Sequence, residues 1–81
     1  MCINKAEYVV DYILKVETDQ NQIKLINLES FINQNTHPCI EKYKDKELFK
    51  QFFIDECGAI CWGDNDFDIN PISIIQGDFD A

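Results

Sequence analysis

The sequence predicts an α+β domain: a small antiparallel β-meander sheet with one or two short helices packed on one face. Three observations lead there. Apolar and polar residues alternate near the start of the chain, the period-two pattern of half-buried strands. Two short apolar runs flank a turn late in the chain. Between these regions, helix-start residues precede short apolar stretches, which gives the order β–β–α–(α)–β–β–short helix.

From Tyr8 to Val16 the even positions read Tyr, Val, Tyr, Leu, Val, while Asp11 and Lys15 stand at odd ones. This reads as one strand with Tyr8, Val10, Tyr12, Leu14 and Val16 toward the core. The "TDQNQ" stretch supplies turn residues. Alternation resumes from Gln22 to Leu28, with Ile23 and Leu25 apolar, and the two runs read as a β-hairpin. Ile26 and Leu28 shift that alternation, so the second strand is expected to bend there. Residues 29–35 form a short turn or helical piece presenting Phe31 and Ile32. Pro38 suits a first helical position, where its missing N–H is not needed. Ile40, Tyr43 and Leu48 or Phe49 make the apolar side of "CIEKYKDKELFKQ", and Asp45 is an N-cap that splits it into two helical turns. "FFIDECGAICW" reads as strand, turn at 55–58, strand, with Phe49, Phe53, Ile60 and Trp62 packed near the first strand. Asn70 before Pro71 starts a last helical turn that Gly77 closes.

The chain has 81 residues, which corresponds to a single domain over 1–81. A chain of this length buries only about 60–65% of its unfolded surface, so the core is small. The apolar fraction of 46%, with 12% aromatic, suffices for a globular domain. The opening "MCINKAEYVVDYILK" has no uninterrupted apolar region, and no apolar run is long enough to span a membrane. The expected location is the cytoplasm. Fifteen Asp and Glu face seven Lys and no Arg, for a net charge of −8. That balance argues against direct binding to a nucleic-acid backbone, which needs clustered cations.

Asp64, Asp66 and Asp68 copy positions 1, 3 and 5 of a calcium loop. Ile69 stands where the sharp turn needs Gly, and Ile75 where a bidentate Glu is required, so no EF-hand is present. An acid–base pair of carboxylates needs a cleft, and the domain is small for one. Asp66 or Asp68 is expected to accept backbone N–H groups, and Asp68 or Asn70 to cap the last helix. Trp62, Asp68, Asn70 and Pro71 are therefore assigned structural roles. His37, Cys39, Cys57 and Cys61 have the residue types of a zinc site. A strand through Cys61 would hold Cys57 and Cys61 roughly 13 Å apart by strand rise, too far for chelation. No catalytic residue, metal ligand or cofactor is assigned, and the cysteines are expected to be free thiols.

The stretch "VVDYILKVETDQNQIKLINLESFI" followed by "IEKYKDKELFKQFFIDECGAICWGDNDFDINP" resembles the bacterial domain of unknown function 2442 family. The resemblance rests on the opening hairpin, Lys44, Asp45 and Phe49 in a Lys-Asp-x-x-x-Phe segment, the strand ending in Trp62, and Asp66 and Asp68 leading to Pro71. It covers nearly the whole chain from Tyr8 onward. Many members run from the Asp directly to Pro, whereas Ile69 and Asn70 intervene here. The resemblance implies a small α+β domain with a β-meander and no established reaction. It also implies, by analogy with members that look like partners of toxin-like proteins, a binding role.

The expected function is accordingly that of a small, acidic, non-enzymatic protein-interaction module, an antitoxin-like partner of a basic bacterial protein. Asp64, Asp66, Asp78 and Asp80 are the expected partner-binding residues. The alternative is a small-ligand or metal-sensing domain using the Asp-rich loop or the Cys/His set. A third reading is an acidic nucleic-acid mimic that blocks a DNA-binding protein.

Overall fold

The computed structural model describes residues 2–64 and 66–80. Asn65, inside the acidic loop, lies outside the described residues. The architecture is α+β and compact, with a radius of gyration of 11.7 Å. Its strands divide between two three-stranded antiparallel meanders. The first consists of β1 (Ile3–Val10), β2 (Ile13–Thr18) and β3 (Ile23–Asn27) in that order. The second consists of β4 (Phe53–Ile54), β5 (Ile60–Trp62) and β6 (Phe67–Ile69). Between them run α1 (Glu29–Gln34), α2 (Pro38–Glu41), a 3-10 turn (Lys42–Lys44) and α3 (Lys46–Phe49). The last helix, α4, spans Pro71–Gln76.

The opening period-two run is two strands rather than one. Asp11, at φ 52°, turns the chain, and Val10 pairs with Ile13 across that turn. An Asp tolerates the left-handed region because its short polar side chain bonds locally, so a tight hairpin forms without glycine. Leu14 and Val16 are fully buried and Tyr8 and Tyr12 pack against the core, as the alternation predicts. Val10 is instead 50% exposed, since the strand register shifts between Tyr8 and Val10. The bulge turns Val10 out of the core-facing set.

In β3 the inward set is the reverse of the expected one. Ile26 is buried, whereas Ile23 and Leu25 are exposed. The β2 register decides this: Leu14 pairs with Ile26 and Val16 with Lys24, so even positions of β3 share the buried face. Thr18 closes the hairpin. Its buried hydroxyl accepts the N–H groups of Gln20 (3.3 Å) and Gln22 (3.1 Å) around Asn21 at φ 63°.

Local capping follows the sequence closely. Asp45 accepts the Glu47 N–H at 3.0 Å and starts α3. Asn70 accepts the Ile72 N–H at 2.8 Å, Pro71 sits buried at the first position of α4, and Gly77 at φ 89° ends the helix. His37 adds an unforeseen cap: its Nδ1 accepts the Cys39 N–H at 3.2 Å.

Leu14, Val16, Ile26, Leu28, Ile32, Phe49, Ile60, Trp62 and Ile74 are fully buried and draw on both sheets and on α1, α3 and α4. Each such side chain contributes about 1.5–3 kcal/mol relative to exposure. Trp62 is its centre. The indole stacks between Phe49 (5.6 Å between centroids) and Phe67 (4.5 Å) and donates its Nε1–H to the Phe49 carbonyl at 2.8 Å. Both the apolar body and the polar tip of the ring are thereby satisfied.

Candidate interaction site

Each sheet has an outward row of side chains, and the pairing register identifies it. Phe53 pairs with Cys61 and Cys61 with Asp68 across the second meander, while Ile54, Ile60 and Ile69 form the opposite row. Ile60 and Ile69 are buried. Phe53 is 49% exposed rather than packed in the core as its apolar neighbours suggested. A two-residue strand permits only one of Phe53 and Ile54 to face inward, and the register gives that place to Ile54.

Phe53, Cys61 and Asp68 line an open groove of about 310 Å³ together with Asp55, Gly63, Asp64 and Phe67. Asp55 is held rigidly. Its Oδ1 accepts the N–H groups of Cys57 and Ala59, each at 2.9 Å, and its Oδ2 faces the Cys61 thiol at 3.5 Å. The Ala59 N–H is the main reason its carboxyl lies below the ordinary carboxylate value. Burial, then the neighbouring Asp55, pushes the Cys61 thiol up to about 11, so it is neutral and a poor nucleophile at neutral pH.

The acidic loop splits by role. Asp66 is mostly covered, and its Oδ2 accepts from the Tyr43 hydroxyl at 2.8 Å and the Lys42 ammonium at 2.7 Å. These two donors, Lys42 first, draw its carboxyl below the ordinary value. Burial, reinforced by the bond to Asp66, pushes the Tyr43 phenol up to about 12. Gly63, at φ 65°, lies directly against Asp66 Oδ2 and the Tyr43 hydroxyl, where a Cβ would collide. Among the described residues, no backbone N–H is bonded to the side chain of Asp66 or Asp68, which were expected to accept such groups. Asp66 binds side chains, and Asp55 performs the backbone role that the sequence reading gave to the loop. Asp68 is exposed, and among the described residues neither it nor Asp64 is paired with a cation.

Asp78 and Asp80 lie apart from this groove. They line a second depression with Asn27, Ser30, Phe31, Gln34 and Phe79. Asp80 is bound to Lys24 at 3.0 Å. The four acidic residues singled out in the sequence therefore occupy two places. Asp64 borders the groove over the second sheet, and Asp66 anchors the 3-10 turn beside it. Phe53, Asp55 and Cys61 went unnoticed there. Recognising β6 would have revealed them, since its period-two pattern puts Asp68 in their row.

The Cys/His set does not converge. The His37 Nδ1 is occupied as a cap and the Cys61 thiol faces Asp55, while the Cys57 carbonyl accepts from the thiol of Cys2, which is outside the set, at 3.4 Å. Among the described residues no group of three or more His, Cys, Asp or Glu is arranged to hold a metal ion. No helix among them is long and apolar enough to cross a membrane.

A small α+β fold with two antiparallel meanders, an indole buried at the end of β5 and an Asp-containing strand running into the Asn-Pro start of α4 defines the class of protein. The chain belongs to the family described as "Protein of unknown function (DUF2442)", whose match extends over residues 3–80. No curated protein and no solved structure matches the chain significantly.

Proposed function

We propose that this protein is an acidic, non-enzymatic interaction module of the bacterial cytoplasm that binds a basic protein, as an antitoxin binds its toxin. The observation that carries the reading is the disposition of charge. Lys5, Lys24, Lys42, Lys46 and Lys50 are each paired with a carboxylate of the same chain. With 15 acidic residues against 7 lysines, the surplus is left to solvent and to partners. Such a surface steers a basic protein toward the chain and repels nucleic acid.

The Cys61 thiol is held neutral, and the Asp66 carboxyl is tied to Lys42 and Tyr43, so neither is poised as nucleophile or base. This supports binding over catalysis. The test is association with the product of the neighbouring operon gene, followed by rate at two salt concentrations. Binding whose association slows with salt is the expected result, since screening acts chiefly on encounter. No binding removes the antitoxin-like reading, and a salt-independent rate removes its electrostatic part.

A further inference from the structure

We infer that the outer face of β4–β6 is the docking surface for an arginine-bearing segment of the basic partner, with the guanidinium seated over Phe53 between Asp55, Asp64 and Asp68. The assignment rests on the reading of the chain as an interaction module and gives that module its contact site.

Three features of the groove single out this occupant. Its floor is aromatic and open, with Phe53 about half exposed at the end of the outward row. Its carboxylates come from three places in the chain: the β4–β5 turn, the β5–β6 loop and β6. No lysine lines it, and the nearest cation of the adjoining groove, Lys42, is taken by Asp66. An aromatic face ringed by carboxylates attracts a cation through both the ring quadrupole and Coulomb forces. A guanidinium suits it better than an ammonium. It is planar, stacks on a ring, sheds water more readily and presents a fork to carboxylates. The chain contains no arginine of its own to fill such a place.

The exposed apolar surface of the first meander lacks this selectivity. On the first meander, Glu7, Lys15 and Leu25 align across the strands, as do Glu17 and Ile23 beside Lys5. Opposite charges alternate there, so the face carries no net sign to choose a partner by. The depression at Asp78 and Asp80 is partly neutralised by Lys24.

The experiment is an amide-resolved NMR titration of the full chain with two blocked peptides, Gly-Arg-Gly-Arg-Gly and its lysine counterpart. The arginine peptide should move the resonances of Phe53, Cys61, Phe67 and Asp68 and bind a few-fold more tightly than the lysine peptide. Phe53→Ser and Asp68→Asn should each weaken it about fivefold, a loss typical of a cation–π or charge contact, with the remaining spectrum unchanged. Both positions are exposed, and the spectrum reports directly whether each variant is folded. Shifts centred on Asp78 and Asp80, shifts scattered over the surface, equal binding of the two peptides, or indifference to Phe53→Ser would each overturn the assignment. The operon-neighbour measurement separates the two ideas. If the neighbour binds and Phe53→Ser leaves that binding unchanged, this surface is wrong and the module reading stands. If the neighbour does not bind while the arginine peptide still clusters on the groove, the antitoxin-like reading falls and the surface stands.

Discussion

Asp66 shows how much of a residue's role depends on a partner distant in sequence. Its bonds to Tyr43 and Lys42 tie the acidic loop to the 3-10 turn. The pair titrates at both ends of the pH scale. The folded Asp66 carboxyl lies below its ordinary value, so its contribution is present above the ordinary carboxylate range and is lost as pH falls through the folded value. The Tyr43 phenol is raised from 10.0 to about 12. Its contribution is complete below the ordinary phenol value and is lost as pH rises through about 12. Urea midpoints of Tyr43→Phe should therefore fall less steeply above pH 10 than those of the parent chain, the remainder of the decline coming from Cys61, and Asp66→Asn should lessen the acid-limb slope that it shares with Asp55. A parent-like alkaline slope in Tyr43→Phe would contradict this origin. None of it was legible in the sequence. Asp45, Asn70 and Gly77 were legible, because a cap is decided by neighbours two or three residues away.

Among elements, those whose punctuation is local were read correctly, as were the β2–β3 and β4–β5 hairpins, while the split of β1 from β2, the inward face of β3 and strand β6 were not. The α4 start rests on one side chain, so Asn70→Ala should cost about 0.5–2 kcal/mol, seen as a lowered Tm with unchanged fold. An unaltered Tm would mean that Pro71 alone fixes the helix start. The β2 alternation placed Leu14 in the core, where it is fully buried. Leu14→Ala should cost about 2–5 kcal/mol in chemical denaturation. That is a large share of the stability of so small a domain. A cost below this range would mean that the surrounding side chains collapse into the space. The inward face of β3 could not be read from β3 itself, since Ile23, Leu25, Ile26 and Leu28 offer apolar residues to both sides. Pairing with β2 selects Ile26. The β1–β2 turn was hidden because it carries an Asp and no glycine, and alternation continued across it. The second meander was foreseen as a hairpin only. Three residues, Phe67–Ile69, are too few to display a period, and an acidic stretch masks them.

For the molecule as a whole, charge was legible as a total and not as a pattern. The sequence gives −8, while the fold decides which carboxylates are consumed by Lys24, Lys42, Lys46 and Lys50. Steering depends on the total more than on any one site. Replacing Asp78 and Asp80 together with Asn should slow association with a basic partner at low salt and leave dissociation nearly unchanged. Stopped-flow rates separate the two, and a change confined to dissociation would place these residues in the contact itself.

Phe79 and Asp80 also lie along a strand edge. Asp80 bridges to Ile26, and the Phe79 carbonyl takes the Asn27 N–H at 2.8 Å, covering part of the outer edge of β3. That edge borders the exposed Ile23 and Leu25. Left bare, it is a template on which further copies can stack strand upon strand. Deleting residues 78–81 should turn a dispersed protein into one that forms sedimenting, thioflavin-positive fibrils on standing. A truncated chain that stays dispersed would show that the charged surface, and not this short plug, prevents polymer growth.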